Sequence, residues 1–467
     1  MRLRILISTG LLALIATLLV SGHGFFWDTV QLGAMQGDWF FRHGWQGGLL
    51  PDRIDSGHIP FFGWYLALWW SILGQSLWVS HLAMAPWLWL LGYQLVRMAS
   101  QVSERQVWWV VALLIADPVL LGQAVLISPD IILAGVFLLG VNAILREARA
   151  WLIIAIILLG LISLRGMLVG VILFLFDLSR QAGGLRRAPL ATLGRQLLPY
   201  LPGGLLALAY LAYHYWAKGW IGVHEDSPWA GSFNSGSLAH NAAVLAWRWL
   251  DYGRIFLWLS VGGLTLMHWW PQRRFRLQLP PTKLRPWLVL TLLTGIFLGL
   301  PALFSGGLTQ HRYFLPFFLS LSLLTAQLLS GIVQPRARTI LWGLLILALL
   351  SGNRWIYPDR IAQGWDSTLA QLPYYAIRAE ALDFLATEDI PLAEVGTAFP
   401  EVGPRHFREL NGQMEGMIER DLGRQTYVFY SNVMNDFTDE ELATLQTWTP
   451  IFRRQRAGVI GVVYRRP

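Results

Sequence analysis

The sequence predicts an all-α polytopic membrane domain followed by a small α/β domain outside the membrane. The first observation is composition. Of 467 residues, 55% are hydrophobic and 14% charged, whereas soluble domains carry about 25% charged residues. A single soluble core also stops growing near ~300 residues. The second is recurrence: long apolar runs punctuate the chain up to about residue 353, and runs of that kind read as spanning helices. The third is a change of character after Arg354, where charge becomes frequent and short alternating segments replace the apolar runs.

Apolar runs place spans at 5–22, 78–97, 107–125, 129–146, 151–164, 166–178, 197–217, 254–270, 287–304, 313–333 and 339–353. The pair 151–164 and 166–178 is short against the ~20 residues a span needs. Asp117-Pro118 reads as a break inside its helix. Met1–Val20 lacks a small-x-small cleavage site and reads as a retained first helix. Pro60–Leu73 is apolar enough for another span, but charge argues against it. With Pro60–Leu73 lying in the interface, Arg2, Arg4, Arg97, Arg105, Arg146, Arg149, Arg180, Arg186, Arg187, Arg195, Arg273, Arg274, Arg276, Lys283, Arg285, Arg336 and Arg338 share one side. The short loops opposite hold only Arg42, Arg53, Arg165, Lys218, Arg248, Arg254 and Arg312. Basic residues favour the cytoplasm, so the expectation is eleven spans, the N-terminus inside and the C-terminus outside.

Residues 1–353 form the expected membrane domain and 354–467 the outer one. In the latter, a helix is expected at 367–387, strands at Glu394–Ala398, Thr426–Val433 and Gly458–Arg465, and a capped helix from Thr438. Twenty-five Trp and 14 Tyr suit two water–lipid interfaces. Cysteine is absent, which excludes disulfides and thiolate metal sites. The net charge of +8 sits largely in the loops that set topology, so nucleic acid is not an expected partner. No P-loop, nucleophile elbow or His-Glu-x-x-His occurs.

The residues that could carry chemistry gather at the outer mouths of the spans. Asp28, in Phe26-Trp27-Asp28-Thr29, follows the first span. Aromatic neighbours at a membrane surface can desolvate a carboxylate and fit it for general-base work. The same spacing suits a capping Asp for the segment Thr29–Phe41. His58 leads into the interfacial segment. Asp130, in Ser128-Pro129-Asp130, opens a span, where a carboxylate also complements the helix dipole. Arg165 and the run Gln310-His311-Arg312-Tyr313 put cations at the ends of apolar runs, suited to a lipid phosphate or to plain topology. His224-Glu225-Asp226 with His240 lacks the spacing of a metal site.

Taken in order, these segments resemble the membrane glycosyltransferases of the C-type fold, glycosyltransferase family 39 broadly, which includes protein O-mannosyltransferases and aminoarabinose transferases. The resemblance rests on the Asp after the first span and on Gly57-His58-Ile59-Pro60-Phe61-Phe62-Gly63-Trp64-Tyr65 ending in Leu73-Gly74-Gln75-Ser76. It continues through Ser128-Pro129-Asp130, Leu164-Arg165-Gly166 and His311-Arg312-Tyr313-Phe314-Leu315-Pro316. Thr29 stands where the family usually has Glu, Ile59-Pro60 where it has Pro-Pro, and Arg165 where Lys is frequent.

The resemblance implies inverting transfer of a sugar from a polyprenyl-phosphate donor to an acceptor hydroxyl on the outer face of a membrane, such as the bacterial inner membrane. It implies a glycan, lipid or protein acceptor, Asp28 as base beside Asp130, and the carrier bound by Arg165, Arg312, His311, His58 and Tyr313. A divalent metal ion is optional in the family. A lipid-linked sugar transporter would call for internal repeats and paired charges deep in the spans. A polysaccharide polymerase or ligase would share the donor.

Overall fold

The computed structural model describes residues 2–181, 186–222, 224–226, 230, 237–269, 279–358, 361 and 363–467. Arg273, Arg274 and Arg276 of the basic side, and most of 227–236 in the second long loop, lie outside these residues.

The first part of the chain is helical: α1 (Arg2–Val20), α2 (Gln36–His43), α3 (Phe61–Leu73), α4 (Leu77–Val102), α5 (Val107–Ile115), α6 (Pro118–Ala124), α7 (Pro129–Leu145), α8 (Arg149–Ile162), α9 (Leu164–Ser179), α10 (Pro189–Leu197), α11 (Leu201–Lys218), α12 (Leu238–Leu250), α13 (Ile255–Trp269), α14 (Pro281–Phe304), α15 (Leu315–Ser330) and α16 (Pro335–Ser351). Short polar punctuation sets the breaks. Ser76, Ser128 and Ser163 cap α4, α7 and α9 with their hydroxyls. Asp117 caps α6 with Pro118 at its first position, and the chain bends 71° between α5 and α6.

Helices α7 and α15 are buried almost all round and form the centre. Outer helices leave large apolar side chains uncovered, among them Leu12, Leu19, Leu208, Leu292 and Leu347. Apolar surface on this scale suits lipid and not water.

Helices stand at each of the expected spans, but not all are long enough to cross. Among the described residues, Leu3–Val20, Pro281–Phe304, His311–Ser330 and Pro335–Arg354 are long and apolar enough, and the bent pair α5–α6 makes a fifth if it counts as one span. For α8 and α9 the reason is length, 14 and 16 residues, or roughly 21–24 Å at 1.5 Å per residue, against a ~30 Å hydrocarbon core; α4, with 26 residues, is long enough but not apolar enough. Helix α3 has 13 residues.

After Arg354 the chain forms a mixed six-stranded sheet, with β1 (Val395–Thr397), β2 (Gly403–Pro404), β3 (Gly416–Glu419), β4 (Tyr427–Ser431), β5 (Thr449–Arg456) and β6 (Val459–Arg465). Their order is β2-β3-β1-β4-β6-β5. Strand β1 runs parallel to β3 and β4, and the other pairings are antiparallel. Helix α17 (Pro373–Thr387) covers the sheet, with Tyr374 and Ile377 packed against Val428, Phe429 and Val463. A four-residue helix, α18 (His406–Glu409), follows β2, and α19 (Asp439–Leu445) carries the full capping box of Thr438 and Glu441. This core is not self-contained: Phe26, Trp27 and Leu126 from the helical part belong to it.

Candidate active site

Three separate stretches of chain deliver carboxylates to one guanidinium. Trp27 adopts a left-handed φ of 58°, which is unusual for a bulky residue. Its ring is held edge-on against Phe399 beyond the first strand of the sheet, centroids 5.2 Å apart. The Thr29 hydroxyl donates to the Phe26 carbonyl at 2.7 Å and accepts from the Phe26 amide at 3.0 Å. The turn thus locked is followed by a π-helical turn, Val30–Met35. Asp28 caps nothing with its side chain. Its carboxylate accepts instead from Arg312 Nη2.

Asp130 sits in the first turn of α7. Its Oδ1 accepts from Arg165 Nη2, and its Oδ2 lies 3.5 Å from Arg312 Nε. Asp366 completes the set by pairing with Arg312 Nη1. Arg312 is only 4% exposed and Asp366 3%. The Tyr313 ring lies beneath both cations, 4.6 Å from the Arg165 guanidinium and 5.1 Å from that of Arg312.

Asp366 escaped the sequence reading. It rides on a short 3-10 turn after Gly364, whose φ of 62° suits glycine and where a Cβ would lie 2.8 Å from Gln310 Oε1. At Gly122 a Cβ would lie 2.7 Å from the Thr368 amide nitrogen, so that glycine lets the segment pass. Gln123 then donates to the Asp366 carbonyl at 2.7 Å. A signal was available: Trp365-Asp366-Ser367 repeats the Trp27-Asp28-Thr29 pattern, both tryptophans being buried.

These groups line a cavity of about 320 Å³ together with His58 and Tyr313. Its remaining wall is largely apolar, with Leu32, Phe62, Ile162, Leu168 and Leu298. Two nitrogens of Arg165, Nε and Nη1, are buried without a partner, as is Asp366 Oδ1. His58 Nδ1 sits 3.0 Å from the Ile59 carbonyl and must donate there, which leaves Nε2 as the acceptor. Burial pushes the His58 pKa down, so the ring is neutral near pH 7 and offers no charge to an anion.

His311, expected beside the carrier, does not line the cavity. Its Nε2 is 2.6 Å from Asp251 Oδ2, in a second network where Arg254 forks onto Asp117 with two 3.0 Å bonds and reaches Asp251 Oδ1 at 3.3 Å. Arg254, counted above among outer-loop basic residues, is fully buried. His224 and Asp226 are 3.7 Å apart at the surface, and no three His, Asp or Glu among the described residues gather to hold a metal ion. Each of the three cavity carboxylates already pairs with at least one guanidinium, a cationic setting that disfavours the optional divalent ion.

No family model matches the chain, and no curated protein does. In structure it is similar to ArnT from Cupriavidus metallidurans crystallised with undecaprenyl phosphate, with a TM-score of 0.52 and 15% identity over 98% of this chain and 97% of that one. A crystal structure of the same ArnT in the apo state aligns at a TM-score of 0.43 and 16% identity, over 73% of this chain and 61% of that one. The chain has the ArnT fold, a helical membrane part carrying a small C-terminal sheet domain, as the resemblance to C-type glycosyltransferases implies.

Proposed function

We propose that this protein is a membrane glycosyltransferase that moves a sugar from a polyprenyl-phosphate carrier to an acceptor hydroxyl. The observation that carries the reading is the cavity itself. One wall is apolar enough for an isoprenoid chain, Arg165 lines the cavity and has two buried N–H groups without a partner, and carboxylates lie within the same enclosure. The undecaprenyl phosphate bound to the ArnT crystal structure supports the same class of donor.

In this reading Asp28 takes the proton of the acceptor hydroxyl as its oxygen attacks the anomeric carbon. The bond from that carbon to the phosphate oxygen breaks, the carrier phosphate leaves with the electron pair, and the sugar is inverted. Arg312 holds Asp28, Asp130 and Asp366 in register. Arg165, stacked on Tyr313, takes the phosphate, and neutral His58 can accept a hydrogen bond from the substrate.

Eleven crossings, an external C-terminus and an interfacial α3 complete the proposal, with residues 1–353 forming the domain in the bacterial inner membrane and 354–467 outside. A C-terminal reporter active only in the cytoplasm should stay silent; an active one overturns the orientation. The functional test incubates purified protein with a panel of labelled undecaprenyl-phosphate sugars and membrane acceptors. Consumption of one carrier with release of undecaprenyl phosphate is expected. A protein that binds and consumes none of them is no such transferase.

A further inference from the structure

The proposed mechanism gives Asp366 no contact with substrate, yet its carboxylate is half committed. Oδ2 is on Arg312, while Oδ1 is buried without a partner in a residue that lines the cavity. A buried acceptor left unpaired is costly, so the oxygen calls for a hydrogen-bond donor. A carboxylate repels a phosphate, which excludes the carrier headgroup as that donor. What remains is a group bearing O–H or N–H.

Position narrows the choice. Arg312 touches Asp366 through one nitrogen and Asp130 through another, and Asp130 holds Arg165. Asp366 and Arg165 are therefore linked through Arg312 and Asp130, and all four residues line the one cavity. With a phosphate on Arg165, the group that occupies the space beside Arg312 is the one bonded directly to that phosphate. We infer that Asp366 is a sugar-binding residue: its Oδ1 accepts from a hydroxyl or amine of the donor sugar. The inference rests on the transferase reading above.

It also gives the segment joining the last helix of the bundle to the sheet domain a part in specificity. Asp366 is set in place by Gln123 on the bent helix α6, at 2.7 Å, and by the turn at Gly364. A carrier bearing no sugar leaves Asp366 Oδ1 as unpaired as before, so the residue should distinguish loaded from empty carrier.

The test compares the affinities of full-length wild type, Asp366→Ala and Asp366→Asn for two probes: undecaprenyl phosphate alone, and the sugar-loaded carrier that wild type consumes. Asp366→Ala should weaken the loaded carrier by about tenfold or more, the size expected for a hydrogen bond to a charged group, and leave the empty carrier within about twofold. Asp366→Asn keeps the shape but loses the charge, so its loss should be smaller and fall on the same probe; it also serves if the alanine variant does not fold. An equal loss on both probes would mean that Asp366 only braces Arg312, and overturns the assignment. So do unchanged affinities for both, or a defect confined to the acceptor's KM. A wild type that consumes no loaded carrier sinks the transferase reading and this assignment together. A working wild type with unchanged discrimination in the variants sinks the assignment alone.

Discussion

His311 and Arg312 are neighbours in the chain, yet they serve two buried ion networks of opposite character. Around Arg254 each charged group is paired: a two-pronged contact to Asp117, a third bond to Asp251, and Asp251 in turn bonded by His311 and Tyr357, with only His311 Nδ1 left without a partner. None of these residues lines the cavity. Around Arg312 three carboxylates meet the guanidiniums of Arg312 and Arg165, every one of these residues lines the cavity, and buried polar atoms of Arg165 and Asp366 remain unpartnered. A network of paired charges sealed away from any cavity stabilises a fold. An unsatisfied one beside a cavity is poised for a ligand.

The largest effect should come from breaking the Arg254 network. Arg254 and Asp117 are fully buried, and removing one partner of such a pair costs about 3–5 kcal/mol. Arg254→Ala should lower the thermal midpoint sharply or abolish expression, and Arg254→Lys, which keeps a cation between Asp117 and Asp251, should recover part of the loss. If Arg254→Ala melts like wild type but no longer binds the carrier, the two networks have been assigned the wrong way round.

The cavity network should respond in activity before stability. Asp28→Asn keeps the shape and removes the base, so turnover should fall by about 10²–10⁴ while carrier affinity survives. Near-normal turnover in Asp28→Asn together with a dead Asp130→Asn would move the base to Asp130.

How much of this was legible depends on range. The helical bundle announces itself through apolar runs, and the break at Asp117-Pro118 through its residues. Strand β5, Thr449-Pro450-Ile451-Phe452-Arg453-Arg454-Gln455-Arg456, went unseen because it lies at the sheet edge with most of its side chains in solvent. Its polar sequence hides the alternation on which strand reading depends. At the site, Asp28, Asp130, Arg165 and Arg312 carried local signals, being charged groups at the ends of apolar runs. What they bind was not local. Asp366 meets Gln123 across 243 positions, and nothing in Gln310-His311-Arg312-Tyr313 says that one cation turns to Asp251 and the next to Asp28.

A third network, in the sheet domain, sharpens the contrast through pH. Glu401 is 2% exposed, and it accepts from Arg378 Nε at 2.7 Å and Tyr374 at 2.9 Å, with Arg408 Nε at 3.1 Å. Burial pushes its carboxyl up, but Arg378 and Arg408 outweigh that and hold it below its ordinary value of 4.5. A carboxyl whose folded pKa is depressed contributes stability that is fully present above the unfolded value and is lost as pH falls through the folded one. The thermal midpoint should therefore drop below about pH 4.5, and Glu401→Gln should flatten that drop while lowering the plateau at neutral pH. An unchanged acid limb in Glu401→Gln would show that other carboxylates govern it.

The smallest effect belongs to the surface. Arg42 pairs with Asp38 at 2.8 Å, but its side chain is 50% exposed. Such pairs contribute about 0.2–1 kcal/mol, so Arg42→Ala should shift the thermal midpoint barely at all. A large shift would mean that the Asp38 cluster, which also holds Gln75 and His406, fastens the helical part to the sheet domain through Arg42.

The difference between the networks is tested most directly by the binding of sugar-free undecaprenyl phosphate to wild type and Arg165→Ala, each checked for an unchanged thermal midpoint. If the unpartnered nitrogens of Arg165 receive the carrier phosphate, the variant should lose about tenfold or more in affinity and keep its stability. Equal affinity in a folded Arg165→Ala protein would contradict the placement of the phosphate, and with it the reading of this cavity as the carrier site.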